Sequence, residues 1–376
     1  MIEVKRRIWA SVAALLGLPL LRCDLLAGIH DRMAATTSDA EVDAKVDTCM
    51  HAFPPQPPAN SDGSGQLDLQ FAIRTLDVGI RGDSGAPPPF GYDVDGVCTC
   101  PDPPPCAPRT PGDKHCDGVG GRDTTLNKVF AMFASVAPRL TPSEYSDAIA
   151  AGRAGFIIRL QHYNGGQNDT QLSASVFVSD GPAPTDDAGM PVGPKWDGND
   201  VWTLDSNSVV SESGPRAVPA YFDSNAYVTG GTLVAHVNFP LRLVGTLDQG
   251  SALIMGVDMV LTATIAQHDA GEYSLEDGVI AGRWPTRNVA IGLANFTVAP
   301  DAGFTCPGTF AYEQFKAILC READLFADPR APDPSALCNA LGFGIAFTGM
   351  AAKMGPTVVQ TPSLSPCPDG GLDDCR

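Results

Sequence analysis

The sequence predicts a mainly β protein, an antiparallel β-sandwich of jelly-roll type with a disulfide-bridged helical appendage at its C-terminus. Three observations carry that expectation. Several long segments alternate apolar and polar residues with period 2. Turns rich in Gly and Asp separate them. No regular strand–helix alternation, which a parallel sheet would require, runs through the chain. At 376 residues the chain is long enough for one large β domain with an appendage. Its formal net charge of -18 and pI near 4.5 repel phosphate backbones, so nucleic acid is excluded as a partner class. A hydrophobic fraction of 44% separates it from disordered acidic tails.

In chain order, residues 1–22 read as a signal peptide: Lys5, Arg6 and Arg7 precede an apolar run of about 14 residues, too short to span a hydrocarbon core of ~30 Å. The run ends at Leu20-Leu21-Arg22-Cys23, similar to a bacterial lipobox except that Arg22 stands where a small residue is expected. Cys23 is the expected lipidation site, and the protein is expected to be secreted or held at the cell envelope, touching membrane through that anchor alone. Residues 23–66 read as a tether, Pro-rich at 54–58 and Gly/Ser-rich at 60–65. The sandwich is expected over 67–300, beginning with a strand at 67–80. Its apolar phase changes near Arg74-Thr75, which predicts a bulge.

Residues 90–124 hold four cysteines and six aspartates in a loop rich in Pro and Gly. Asp123 or Thr124 can cap a helix bearing Leu126, Val129, Phe130 and Phe133, and Thr141-Pro142-Ser143-Glu144 starts a short second helix. Strands follow at 156–163 and 172–178 around Asn164-Gly165-Gly166, then at 233–243, 253–265 and 273–284. Over 301–376, Thr309 can cap a helix with Tyr312, Phe315, Ile318, Leu319 and Leu325. Ser335 can cap an Ala/Gly-rich helix to about Lys353. Cys320 and Cys338 would then face each other across a helical hairpin, which predicts a disulfide between them.

Cysteine arithmetic adds a constraint independent of secondary structure. Eleven cysteines are odd; with Cys23 lipidated, ten remain for five bridges in an oxidising compartment. Five of them (Cys49, Cys98, Cys100, Cys106, Cys116) lie early and five (Cys306, Cys320, Cys338, Cys367, Cys375) late. Five cannot pair among themselves, so full oxidation needs at least one bridge between the two groups.

The leader, the Pro-rich spacer, GYDVDGVCTC at 91–100, HYNGGQND at 162–169, DGVIAGRWP at 277–285 and the cysteine-bearing tail together resemble the uncharacterised, cysteine-rich predicted envelope lipoproteins of GC-rich social soil bacteria. That resemblance implies an address and an architecture, and no residue role.

Several motifs were weighed against plainer readings. Gly-Asp-Ser-Gly at 82–85 matches the nucleophile string of chymotrypsin-like proteases. Those enzymes place His and Asp earlier in the chain, and here only His30 and His51 precede Ser84. Asp93-Val94-Asp95-Gly96 resembles the start of a calcium loop, in which alternating carboxylates meet one hard cation. Val97 and the lack of a Glu at position twelve exclude an EF-hand, but Asp117 and Asp123 can complete a non-contiguous calcium site with Asp93 and Asp95; ordinary Asp-Gly turns are the plainer reading. The loop cysteines with His115 match no common zinc spacing, and export favours disulfides.

His236, Asn238 and Arg242 share one predicted strand face, either solvated or ligand-binding. Trp196, Asn199 and Trp202 lie in a polar loop that can stack on sugar rings or pack on the sheet edge. The expected role is non-catalytic binding or adhesion at the cell envelope, with carbohydrate or another surface protein as partner and calcium as the one candidate cofactor. An extracellular polysaccharide hydrolase or lyase, and a purely structural surface lipoprotein, are the alternatives.

Overall fold

The alternating segments roll into a closed eight-stranded antiparallel barrel. In the computed structural model, the described residues are 49–79, 90–100, 102–136, 142–183, 193–244, 251–268, 271–294, 305–330, 333–359, 367 and 373–375. The expected signal peptide, Cys23, the first half of the expected tether, the Gly-Asp-Ser-Gly string and Thr141 lie outside them. The strands are β1 (Leu67–Asp77), β2 (Gly155–Tyr163), β3 (Asp169–Ser179), β4 (Val201–Asp205), β5 (Val209–Ser211), β6 (Val218–Pro219), β7 (Tyr221–Thr229), β8 (Thr232–His236), β9 (Pro240–Val244), β10 (Ser251–Met255), β11 (Val257–Gln267), β12 (Tyr273–Pro285), β13 (Ala340–Ala351) and β14 (Lys353–Val358). The helices are α1 (Thr125–Val136), α2 (Pro142–Ala150), α3 (Thr286–Leu293) and α4 (Phe310–Arg321).

Around the barrel the order is β1-β2-β3-β7-β8-β11-β12-β13 and back to β1, an up-and-down path in sequence order. Closure comes from β1, which pairs with β2 on one side and with β13 on the other, Phe71 opposite Ala351 and Asp77 opposite Ala346. The bulge expected near Arg74-Thr75 is there: the β1–β13 register shifts between Ile73 and Thr75. It keeps Ile73, Leu76 and Val78 all facing the core.

The sandwich expectation is therefore corrected to a barrel, because of β13. The Ala/Gly-rich run read as a helix is a strand with period 2. Leu341, Phe343, Ile345 and Phe347 point inward, and Gly342 and Gly344 face outward. Composition suggested a helix, while the aromatic and branched residues at every second position needed a strand. Without that strand nothing closes the sheet. The C-terminal region is then no separate appendage, since it supplies a barrel stave and only one of its two expected helices, α4, forms. Thr309 caps α4 as expected, its Oγ1 accepting from the Tyr312 amide at 3.4 Å. Two long predicted strands are also broken in the structure, 233–243 into β8 and β9 and 253–265 into β10 and β11.

The barrel interior is filled with side chains, as eight staves allow. Phe71, Phe156, Leu172, Leu233, Ile280 and Phe343 belong to one buried cluster that continues onto α1 to α4 and the β9–β10 hairpin. Strand polarity puts all of these at the same end, beside the C-terminus of β12 and the N-terminus of β13. Short turns such as 164–168 and 230–231 close the opposite end. Two layers cover the outside wall. The parallel pair β4–β14 buries Trp202, Leu204 and Met354 against Ile157 and Phe177. The loop 90–124 covers Val234, Val260 and Ala281 with Tyr92 and Val94. Residues 49–66, expected as a spacer, run along this same body: Cys49 is bridged to Cys98, the Pro55 carbonyl accepts from the Tyr227 hydroxyl at 2.6 Å, and Asp62 bonds Asn168.

Candidate metal centre

Loop 90–124 is fixed by three bridges and by the barrel wall beneath it. Cys98 pairs with Cys49, Cys100 with Cys116, and Cys106 with Cys338; Cys306–Cys367 and Cys320–Cys375 complete the set. One bridge, Cys106–Cys338, joins the early and late groups, as the count requires. The expected Cys320–Cys338 bridge is corrected, because no hairpin of two helices brings those residues together: Cys338 sits at the entry to β13, beside Cys106.

The loop approaches the wall closely because β13 offers no side chains there. A Cβ at Gly344 would lie 2.8 Å from the Gly91 Cα, and one at Gly342 would lie 2.4 Å from the Asp123 Cβ. The missing side chains at these two positions allow a polar loop to lie against a β-stave.

Within the loop, four of the six aspartates use an oxygen to tie down backbone. Asp93 accepts from the Gly96 amide at 2.7 Å, Asp95 from Val97 at 2.8 Å, Asp117 from Thr99, and Asp123 from Val94 at 2.8 Å. The bonds of Asp93 and Asp95 around Gly96 are the Asp-Gly turn that the plainer sequence reading anticipated, whereas Asp117 and Asp123 reach across the loop. These bonds also turn the remaining oxygens inward. Asp93, Asp95 and Asp123 bring carboxylate oxygens within 4.8 Å of one another, and so do Asp117, Asp123 and Asp324. All four aspartates chosen from the sequence as a cation site thus belong to one cluster.

Asp324 is the member that sequence reasoning missed. It follows α4, about 200 residues from the others, and is held by the Gly342 amide at 3.2 Å and by the Thr125 hydroxyl. Its arrival depends on the register of β13, and no local motif announces it.

The cluster is buried, and the charges of Arg283 near Asp95 and Lys128 near Asp324 offset its carboxylates only in part. Asp93, Asp123 and Asp324 are 4%, 1% and 6% exposed. Asp95 Oδ2 and Asp123 Oδ1 are buried without any hydrogen-bond partner. Burial, reinforced by the neighbouring carboxylates, pushes Asp117 up to about 8. Burial raises Asp324 to about 7 and Asp95 to about 6, and lifts Asp123 well above its ordinary range. Among the described residues the one basic side chain paired with these carboxylates is His51, whose Nδ1 meets Asp93 Oδ2. Oxygen-only donors of this number and hardness suit calcium, magnesium or manganese and disfavour zinc or copper. The cysteines weighed for zinc are in disulfides.

No known protein family, characterised protein or solved structure matches this chain.

The other candidate ligand residues are scattered. Trp202 is fully buried under β4–β14 and cannot meet a sugar, a correction to its expected place in a polar loop. Trp196 packs on it with ring centroids 5.4 Å apart, its Nε1 donating to the Ala150 carbonyl. Asn199 is exposed and accepts from Lys353 at 2.9 Å. His236 ends β8, and Asn238 lies beyond it with Oδ1 accepting from the Met259 amide. Arg242, on β9, is drawn into ion pairs with the buried Asp205, at 2.8 Å, and with Asp180. The break between β8 and β9 removes the shared face on which these three were expected. Replacing Arg242 by Ala strands a carboxylate at Asp205, 1% exposed, and is expected to cost about 3 kcal/mol in chemical denaturation. An unchanged midpoint would contradict the structural role.

Proposed function

We propose that this protein is a non-catalytic binding protein of the cell envelope whose Cys/Asp loop is locked onto a β-barrel by calcium. The observation that carries the reading is the convergence of five carboxylates with two buried oxygens left unbonded. Such a group is costly to bury ionised and is compensated by a hard divalent cation. Asp93, Asp95 and Asp123 supply the primary donors. The barrel interior is filled, so a partner meets the outer surface, and the calcium-fixed loop is the most rigid polar feature there. Carbohydrate or another surface protein is the partner class we assign to it, and lipid at Cys23 the means of anchorage.

Thermal melts of the oxidised protein with calcium and with chelator test the cation. Occupancy stabilises by RT ln(1 + [L]/Kd), ~2.7 kcal/mol at a hundredfold excess over Kd. The expected result is an upward shift that Asp95→Asn reduces and Asp123→Asn abolishes. Identical melts in calcium and chelator would refute the reading.

A further inference from the structure

We propose that the cluster holds two divalent cations bridged by Asp123, one bound with Asp93 and Asp95 and the other with Asp117 and Asp324. The inference rests on the cation-binding reading above and adds a second site to it. Its first ground is the spatial pattern. The close carboxylate oxygens form two triads, Asp93/Asp95/Asp123 and Asp117/Asp123/Asp324, which share Asp123. Five carboxylates around a single ion would form one group. Two groups with a common member describe two foci and a bridge.

The bridging residue supplies the second ground. Asp123 is 1% exposed, and its Oδ1 has no hydrogen-bond partner, while Oδ2 accepts from the Val94 amide. A buried carboxylate oxygen without a donor has lost its water and gained nothing in return, which makes it a poised ligand. This one lies in a side chain within reach of both triads. A carboxylate can ligate through both oxygens, and calcium accepts mono- and bidentate carboxylates at about 2.3–2.6 Å.

Charge is the third ground. Once cations have displaced their protons, five ligating carboxylates around one divalent ion would carry a net charge of about −3 among them, which low-dielectric surroundings penalise heavily. A second ion brings the sum to about −1.

The two foci also differ in access. Asp324 and Thr99, whose amide holds Asp117, line a cavity of about 360 Å³ walled by Pro103, Pro104, Pro108 and His115. Asp93 and Asp95 do not line it. The Asp117/Asp324 ion therefore lies beside that cavity and is the one that exchanges first. Waters from that side complete its coordination, as calcium's six to eight ligands require.

Equilibrium dialysis of the oxidised full-length protein against calcium at pH 8, with bound metal counted per chain, tests the inference. The expected count is two for the wild type and one for Asp117→Asn and for Asp324→Asn. A count of one in the wild type overturns the second site and leaves the single-cation reading standing. A count of zero overturns both. Two ions in the wild type with no loss in either variant would overturn the assignment to Asp117 and Asp324. Near-ultraviolet circular dichroism in chelator shows whether each variant keeps the native fold. Should Asp324→Asn fail that check, Asp117→Asn carries the comparison, and the wild-type count needs no variant at all.

Discussion

Replacing both Cys106 and Cys338 by Ala will lower stability by about 5 kcal/mol, more than removal of any other bridge. The two residues are 232 positions apart. In the chain-entropy account a cross-link stabilises by restricting the unfolded ensemble, and the gain grows with the logarithm of the loop, reaching ~4.7 kcal/mol for about a hundred residues. The sequence separation at Cys100–Cys116 is 16, which gives about 3 kcal/mol on the same scale. Local packing points the same way. Cys106 is fully buried in a cluster with Ala323, Cys338 and Phe326, and its neighbour Ala107 exchanges backbone hydrogen bonds with Ala336 and Cys338. The bridge thus clamps loop 90–124 to the entry of β13, the stave that closes the barrel, and to the segment that carries Asp324. Urea denaturation of the two double variants under oxidising conditions makes the comparison. If Cys100/Cys116 proves the costlier pair to lose, the long-range clamp is not what holds this fold. The same Cys106/Cys338 variant should lose calcium affinity, because Asp324 would no longer be held beside Asp117 and Asp123.

What could be read from the sequence divides along physical lines. Period-2 alternation exposed β1, β2, β3 and β12, and the phase slip at Arg74-Thr75 located a bulge to within a residue. Local capping chemistry exposed α4 through Thr309. Parity forced a bridge between the early and late cysteines. All of these are local or arithmetic signals. Barrel closure is a contact between the first and last staves, and its sequence signature was hidden because Gly342, Gly344 and Ala346 lower the apparent strand propensity of β13. Gly342 and Gly344 lack side chains where the loop lies on them. The composition that disguised the strand also makes room for the site.

The candidate site divides in the same manner. Asp93, Asp95, Asp117 and Asp123 were legible because alternating acids with Gly turns lie within one loop. Asp324 was not, since it is delivered by tertiary register. For Trp202, polar neighbours such as Asn199 and Asp200 suggested exposure. The parallel pairing of β4 with β14, a contact between residues some 150 positions apart, buries it instead.

In chelator, the protein will become less stable as pH rises from about 4 to about 8, whereas in calcium it will not. Carboxylates held above their ordinary range bind protons in the folded state that the unfolded chain has already released. The folded state is therefore favoured below the unfolded carboxylate range, near 4, and that advantage is lost as pH rises through the folded values. Those values set the window: about 6 for Asp95, about 7 for Asp324 and about 8 for Asp117, with Asp123 also raised. Each pKa unit corresponds to about 1.4 kcal/mol between protonation states, so several raised groups acting together move the melting temperature by many degrees. Calcium reverses the sign because it binds the deprotonated form and competes with protons for the same oxygens. The gap between melts in calcium and in chelator should thus be small at pH 5 and widest at pH 8. At pH 7, where Asp117 is mostly protonated, Asp324 about half, and Asp123 is held well above its ordinary range, cation binding should expel roughly two protons per chain, measurable by pH-stat titration. A gap that narrows toward pH 8, or binding without proton release, would mean that these aspartates are not the ligands.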